Sequence, residues 1–211
     1  RHRSLRSLDL WSKFSRMNLV TMARTALVIL AEGAEEMETV ITTDMLRRAE
    51  VVVTVAGLDG PEPVRCSRNV TIVPDKSLDQ ALAESREYDV VVLPGGLEGA
   101  DRLSKSETVR TLLKEHQKSG KIIAAICAAP ALVLVSHGIG VGKRITCYPG
   151  TRDRVPKNYQ YVEGESVVVD GQIITSRSPG TAIWFSLAII EKLVGKKVAE
   201  VVEKGMLISG F

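Results

Sequence analysis

From Thr25 onward, short runs of aliphatic and β-branched residues alternate with longer stretches in which apolar positions recur every three or four residues. Continuous apolar runs of this length suit strands buried on both faces, and the three-to-four spacing suits amphipathic helices. The alternation therefore predicts a mostly parallel sheet covered by helices on both faces. Ala26 to Ala31 (ALVILA) reads as a buried strand. A helix from about Glu35 to Ala49 follows, with Met37, Val40, Ile41, Met45 and Leu46 as its apolar face. Val51 to Ala56 (VVVTVA) is the next strand.

After the turn over Gly57 to Pro63, Val64 to Cys66 and Asn69 to Val73 suggest a short antiparallel excursion before Pro74. Ser77 is a candidate N-cap of a short helix, and Asp89 to Leu93 (DVVVL) a central strand ending in Pro94-Gly95-Gly96. Ser106 caps a helix that runs to Ser119 and stops at Gly120. Ile122 to Ile126 is a further central strand with Cys127 at its end, followed by a helix over Ala128 to Ser136. Arg144 to Thr146, a hairpin across Tyr161 to Ile174 turning at Asp170-Gly171, and helices over Thr181 to Val194 and Lys196 to Lys204 complete the chain. No repeat or long linker divides residues 25–211, which read as one α/β domain.

Composition narrows the function. The longest apolar stretch, Ile122 to Val135, is broken by Pro130 and is shorter than the roughly 20 residues a membrane-spanning helix needs. The formal charge is +3, but the first 24 residues hold six basic groups and only one acid, Asp9. Residues 25–211 hold 22 basic and 24 acidic groups, so the body makes no electrostatic case for nucleic acid. The Arg- and Ser-rich segment 1–24 reads either as an extension outside the fold or as a transit-like amphipathic segment. Cys66, Cys127 and Cys147 are odd in number and at no metal-ligand spacing. Reduced thiols and no cofactor are expected, in the cytoplasm and also the nucleus or mitochondrion.

Chemistry gathers where Ile122-Ile-Ala-Ala-Ile-Cys127-Ala-Ala-Pro130 passes from strand to helix. A nucleophile at such an elbow needs small neighbours, and Ala125, Ala128 and Ala129 supply them. Free N–H groups at the helix start favour thiolate over thiol, and Pro130 suits the first turn. A buried, inert cysteine at a strand end has the same spacing. Leu93-Pro94-Gly95-Gly96 allows close backbone approach at the same sheet edge, either as an oxyanion site with Ala128 or as a plain turn. The absence of G-x-G-x-x-G and the run Glu32, Glu35, Glu36, Glu38 argue against a dinucleotide site.

ALVILAEGAEEMETV, the Cys66-Ser-Arg-Asn-Val segment, DVVVLPGG, AAICAAP and TSRSPGT together closely resemble the ThiJ/PfpI superfamily, in its DJ-1 branch of parkinsonism-associated deglycases. The resemblance implies a flavodoxin-like three-layer sandwich, a homodimer, and a nucleophilic, readily oxidised cysteine at Cys127 with Glu38 as its carboxyl partner. It also implies oxyanion donors at Gly95, Gly96 and Ala128. Arg68, Pro179 and Arg48 of a partner subunit would lie near the pocket. A charged Glu38 would oppose a thiolate, so Glu38 is expected to be protonated by burial, although an acid at a helix N-terminus needs no such role. Tyr148 stands where many members have a histidine. Phenol is a poor base at neutral pH, and His116, on a polar helix face, and His137, at a helix end, offer no replacement.

The implied function is a cysteine-dependent deglycase or glyoxalase acting on methylglyoxal or on glycated protein and nucleotide adducts. The alternatives are a redox sensor or chaperone whose cysteine becomes a sulfinate and, more remotely, a cysteine peptidase.

Overall fold

The computed structural model describes residues 23–208; the expectations for the basic N-terminal segment fall almost wholly outside them. A seven-stranded sheet runs in the order β10-β11-β7-β6-β1-β2-β5. Its centre is β1 (Thr25–Leu30), paired in parallel with β2 (Val52–Gly57) and β6 (Val90–Leu93). The edge strand β5 (Lys76–Ser77) lies beyond β2. On the other side, β7 (Ile122–Ile126) joins β6, and β11 (Ile173–Ser176) joins β7, both in parallel. Only β10 (Val167–Asp170) is antiparallel, through a hairpin with β11.

Both faces of the central strands are buried, which is why they read as unbroken apolar runs rather than as alternation. Leu27, Ile29, Val91, Leu93, Ile123 and Ala125 point into one core, and Ala26, Val28, Leu30, Val90, Val92 and Ile126 into the other. The first core is closed by α2 (Leu78–Glu84), α3 (Leu97–Lys105), α4 (Glu107–Ser119) and the helical segment after β7. The second is closed by α1 (Glu36–Arg48), α6 (Ala182–Val194) and α7 (Lys196–Gly205), with Met45, Leu46, Phe185 and Ile189 at its centre. Cys127 packs against both. The three-layer sandwich with a mostly parallel sheet is thus the architecture.

Local signals account for most boundaries. Ser77 and Gln80 form a reciprocal capping box at α2, Ser106 accepts the Val109 N–H at the start of α4, and Gly120 ends α4 in the left-handed conformation. β3 (Val64–Arg65) and β4 (Thr71–Ile72) form the expected antiparallel excursion. Among the described residues, no helix is long and apolar enough to cross a membrane.

Four expectations need correction. The α1 apolar face is only partly the buried one: Met45 and Leu46 are buried as expected, but Met37 and Val40 are each 52% exposed, and Glu38, Thr39, Thr42 and Thr43 are buried in their place. The threonines manage this because their hydroxyls can bond backward within the helix, as Thr39 and Thr43 do. α3 escaped the sequence reading because Gly-Gly-Leu-Glu-Gly looks like a loop. Gly99 lies inside that helix because a Cβ there would stand 2.7 Å from the Ala34 Cα. His116 is buried rather than on a polar face, on one stripe with Val109, Leu112 and Leu113, and its ring nitrogens meet the Leu112 and Tyr88 carbonyls. The hairpin is shorter than expected, since β9 (Gln160–Tyr161) pairs in parallel with β8 (Arg144–Ile145) instead.

Candidate functional site

Cys127 sits at the carboxyl end of β7, where the chain turns into a π-helical segment, Pro130–Leu134, that continues as α5 (Val135–His137). Its φ is +63°, a left-handed conformation that costs a non-glycine residue about 1 kcal/mol or more. Two bonds impose it: the Cys127 N–H donates to the Ser176 carbonyl at 3.0 Å, and its own carbonyl accepts from the Tyr148 N–H at 2.7 Å. The turn therefore stays strained because β11 and the Tyr148 loop hold it on both sides.

Gly95 faces this elbow with no room to spare. A Cβ at that position would lie 2.5 Å from the Cys127 Cβ and 2.8 Å from Glu38 Oε2. Gly96, with φ +82°, is the N-cap of α3 and would drive a Cβ to 2.3 Å from the Gly33 carbonyl oxygen. The glycine pair is thus required by close backbone approach, which the plain-turn reading does not explain.

Glu38 is fully buried in the first turns of α1. Its Oε2 accepts the Gly95 N–H at 2.7 Å, while Oε1 has no hydrogen-bond partner of standard geometry. Burial, reinforced by the charge of Glu35, pushes the Glu38 carboxyl up to about 8 against the lowering effect of the Gly95 N–H. It therefore holds its proton at neutral pH, as the burial argument anticipated. One expectation changes: the Gly95 N–H is taken by Glu38, so it is not an oxyanion donor.

The expectation that helix dipoles would simply acidify Cys127 is also corrected. Burial and the charge of Glu38 push the thiol up, to about 12, and outweigh the N–H groups of Gly96 and Ala128 that favour the thiolate. The two groups titrate as a pair. While Glu38 keeps its proton, its charge no longer opposes the thiolate, and burial alone stands against those two donors. A single proton shared between sulfur and carboxyl is the reactive form the arrangement can offer, rather than an independently acidic thiol.

Cys127 and Ala128 open onto a cleft of about 560 Å³ that is lined also by Gly33, Glu35, Arg68, Gly96 and Tyr148. Pro179 reaches it as expected, and Arg68 is its cation. Arg68 is steadied through its backbone: Glu36 accepts the Arg68 N–H at 2.8 Å and the Ser67 hydroxyl at 2.8 Å. Burial raises the Glu36 carboxyl, but its own backbone N–H together with the Ser67 hydroxyl and the Arg68 and Val70 N–H groups more than offset it and hold it below its usual range. Arg48 is not brought to the cleft of its own chain; it lies at the other end of α1, paired with Asp44 at 2.6 Å. Among the described residues, no histidine lines the cleft; His137 is buried, with Nε2 at 3.0 Å from the Leu103 carbonyl. Among the described residues, no group of three or more His, Cys, Asp or Glu side chains is placed to hold a metal ion.

The DJ-1/PfpI family model matches residues 24–192, which include every residue of this site. The chain belongs to the DJ-1/PfpI family. Protein dj-1beta of Drosophila melanogaster is 52% identical over 188 residues, spanning 89% of this chain and 99% of that protein. Its crystal structure superposes with a TM-score of 0.85, covering 88% of this chain and 98% of that one. Glutathione-independent glyoxalase DJR-1.2 of Caenorhabditis elegans is 40% identical over 174 residues, covering 82% of this chain and 90% of that protein. A structure described as Toxoplasma gondii DJ-1, oxidized, is 40% identical with a TM-score of 0.83, covering 88% and 98% of the two chains.

Sequence reasoning missed two parts of the site. Glu35 lines the cleft but looked like one acid among several, although its place just before an apolar helix marked a possible cap. The Glu36–Ser67–Arg68 network joins residues about 31 positions apart, and no local signal reports it.

Proposed function

We propose that this protein is a cofactor-free glyoxalase and deglycase whose reacting pair is Cys127 and Glu38. The observation that carries the reading is a cysteine held at φ +63° against a buried carboxyl that keeps its proton at neutral pH, with the Gly96 and Ala128 N–H groups favouring negative charge at the same place. The name of the C. elegans relative supports the same reaction class.

With methylglyoxal, the Cys127 sulfur bonds to the aldehyde carbon, and the oxygen that receives the electron pair is stabilised by the Gly96 and Ala128 N–H groups and protonated from Glu38. The Glu38 carboxylate then removes the hydrogen from that carbon and returns it to the neighbouring ketone carbon, while the hydroxyl proton passes from the first oxygen to the ketone oxygen, giving a lactoyl thioester. Water cleaves the thioester, releasing lactate and restoring the thiol. The aldehyde carbon is oxidised and the ketone carbon reduced, so no external electron carrier is needed. Early adducts of the same aldehyde on amines or thiols present an equivalent carbon to the sulfur. Purified protein should release lactate from methylglyoxal, and Cys127→Ala and Glu38→Gln should not; equal turnover by Cys127→Ala sinks the reading.

A second reading has an observation of its own. Cys127 is the only one of the three cysteines that is not buried, and one relative was solved in an oxidised state. Two peroxide molecules, each giving one oxygen to the sulfur and leaving as water, would yield a sulfinate whose oxygens the Glu38 proton could meet. No lactate release together with a selective gain of two oxygens at Cys127 favours this sensor role. We further infer a homodimer, supported by the exposed Met37 and Val40 on α1 and Trp184 on α6, two helices that pack together. Sedimentation at micromolar concentration tests it.

A further inference from the structure

Glu35 is the N-cap of α1, and its carboxylate accepts the Glu38 N–H at 2.8 Å. Glutamate is an unusual choice for that bond: serine, aspartate or asparagine makes it with a shorter side chain and less ordering cost. The rest of its environment gives a reason. The Glu35 N–H donates to the Gly95 carbonyl at 3.0 Å, and the Gly95 N–H donates to Glu38 Oε2 at 2.7 Å. Glu35, Gly95 and Glu38 therefore close a ring of three hydrogen bonds, and Gly95 is the residue packed against the Cys127 Cβ. Moving Glu35 moves the carboxyl and the elbow together.

Glu35 also lies between Glu38 and water. Glu38 is fully buried at the Gly95–Cys127 contact, whereas Glu35 lines the cleft beside Cys127. We propose that Glu35 is a positioning residue for the Cys127–Glu38 pair: through this ring it holds the Glu38 carboxyl against the elbow, and it sets a second carboxyl beside the pair where the cleft opens. The proposal rests on the reading of Cys127 and Glu38 as the reacting pair.

The charged and titratable groups around Glu35 set the sign of its effect. Glu36 is its neighbour on α1, Arg68 and Cys66 face it from the loop between β3 and β4, Glu98 shares the cleft from α3, and Cys127 lies across it. Burial and the Glu36 charge raise the Glu35 carboxyl, and Arg68 lowers it. When Glu35 is ionised, its charge makes the loss of a further proton from the pair harder, as burial also does.

The test follows Cys127 alkylation by iodoacetamide from pH 5 to 9, read by intact mass, alongside methylglyoxal turnover and thermal midpoint. Glu35→Gln keeps an oxygen that can accept the Glu38 N–H but removes the charge. Its thermal midpoint should stay near that of the parent, while the pH midpoint of alkylation moves down by about one pH unit. Glu35→Ala breaks the ring as well, so turnover should fall about tenfold or more, with partial rescue in Glu35→Gln. An alkylation midpoint that Glu35→Gln leaves in place while Glu38→Gln shifts it overturns the inference and leaves the pair intact. Full turnover in Glu38→Gln or Cys127→Ala overturns the pair itself, and the inference with it.

Discussion

Cys66 and Cys127 are two thiols near the same acidic cluster, both pushed up by burial and negative charge, and they differ in what else surrounds the sulfur. Cys66 is 3% exposed, in a loop whose backbone is satisfied by Val70 and Asn69, and burial followed by the charges of Glu36, Glu32 and Glu35 pushes its thiol up to about 11. Cys127 is pushed up as well, yet it alone has a strained backbone, two N–H donors favouring its thiolate, a carboxyl that carries its own proton, and a path to the cleft. Nearby negative charge and burial suppress both sulfurs. What separates them is whether a neighbour can take the proton and whether donors await the charge left behind.

The sharpest way to break this contrast is to remove each sulfur in turn. Cys127→Ala should cost about a thousandfold or more in turnover, as loss of a nucleophile does, with little change in fold. Cys66→Ala should leave turnover within about twofold and lose about 1 kcal/mol of stability by denaturant titration. Equal losses of activity would end the distinction.

Crowding the elbow is next in expected effect. Gly95→Ala places a Cβ 2.5 Å from the Cys127 Cβ, so about 1–3 kcal/mol of stability should go, and turnover should fall about a hundredfold as Glu38 and Cys127 are forced apart. A crystal structure of the variant with the pair undisturbed would contradict the packing argument.

The protonated carboxyl gives the contrast a pH signature. Because folding raises Glu38 above its unfolded value, to about 8, its contribution to stability is fully present in acid and is lost as pH rises toward 8. Glu38→Gln has no such proton to lose. Its stability relative to the parent should therefore grow from pH 5 to pH 8, by on the order of 2 kcal/mol, even as turnover collapses. A constant difference across that range would mean that Glu38 is ionised throughout. The buried histidines work in the opposite sense. Burial lowers His116 and His137, so their contribution holds above about pH 6.5 and fades as pH falls below it. His116→Gln should flatten that acid limb.

The smallest expected change sharpens the role of charge near Cys66. Glu36→Gln removes one of the charges that raise that thiol, yet Cys66 should remain unalkylated in the native protein because burial is the larger cause. The same substitution weakens the hold on the Arg68 backbone, and KM for an anionic aldehyde should rise a few-fold. Rapid native-state labelling of Cys66 would show that its burial is not what protects it.

Much of this was legible along the chain. The central strands announced themselves as unbroken apolar runs because both faces are covered, and Ser77, Ser106 and Gly120 marked helix ends through bonds made within a few residues. Cys127 stood out because a strand running into a helix through alanines is a local pattern. Part of the buried face of α1 was misread for a physical reason: hydrophobicity alone ranks Met37 and Val40 as core, while Thr42 and Glu38 meet partners elsewhere in the chain and Thr39 bonds back to Glu35 within the helix. Thr42, for example, accepts a hydrogen bond from Ser186 on α6. His116 went the same way, since its two carbonyl partners include Tyr88, far from it in sequence.

The amino-acid order by itself determined the layers, most element limits and the candidate nucleophile, because each depends on contacts a few residues apart or on a simple apolar period. Glu38 as the acid that meets the sulfur was legible only through the family resemblance, and only the tertiary structure decided that Gly95 serves that acid rather than an oxyanion and that the thiol and carboxyl share their protons. Those outcomes depend on β6, β7, β11 and the start of α1 converging at one sheet edge. Desolvation and charge coupling there vary with distances of a few ångströms, which no spacing in the sequence encodes.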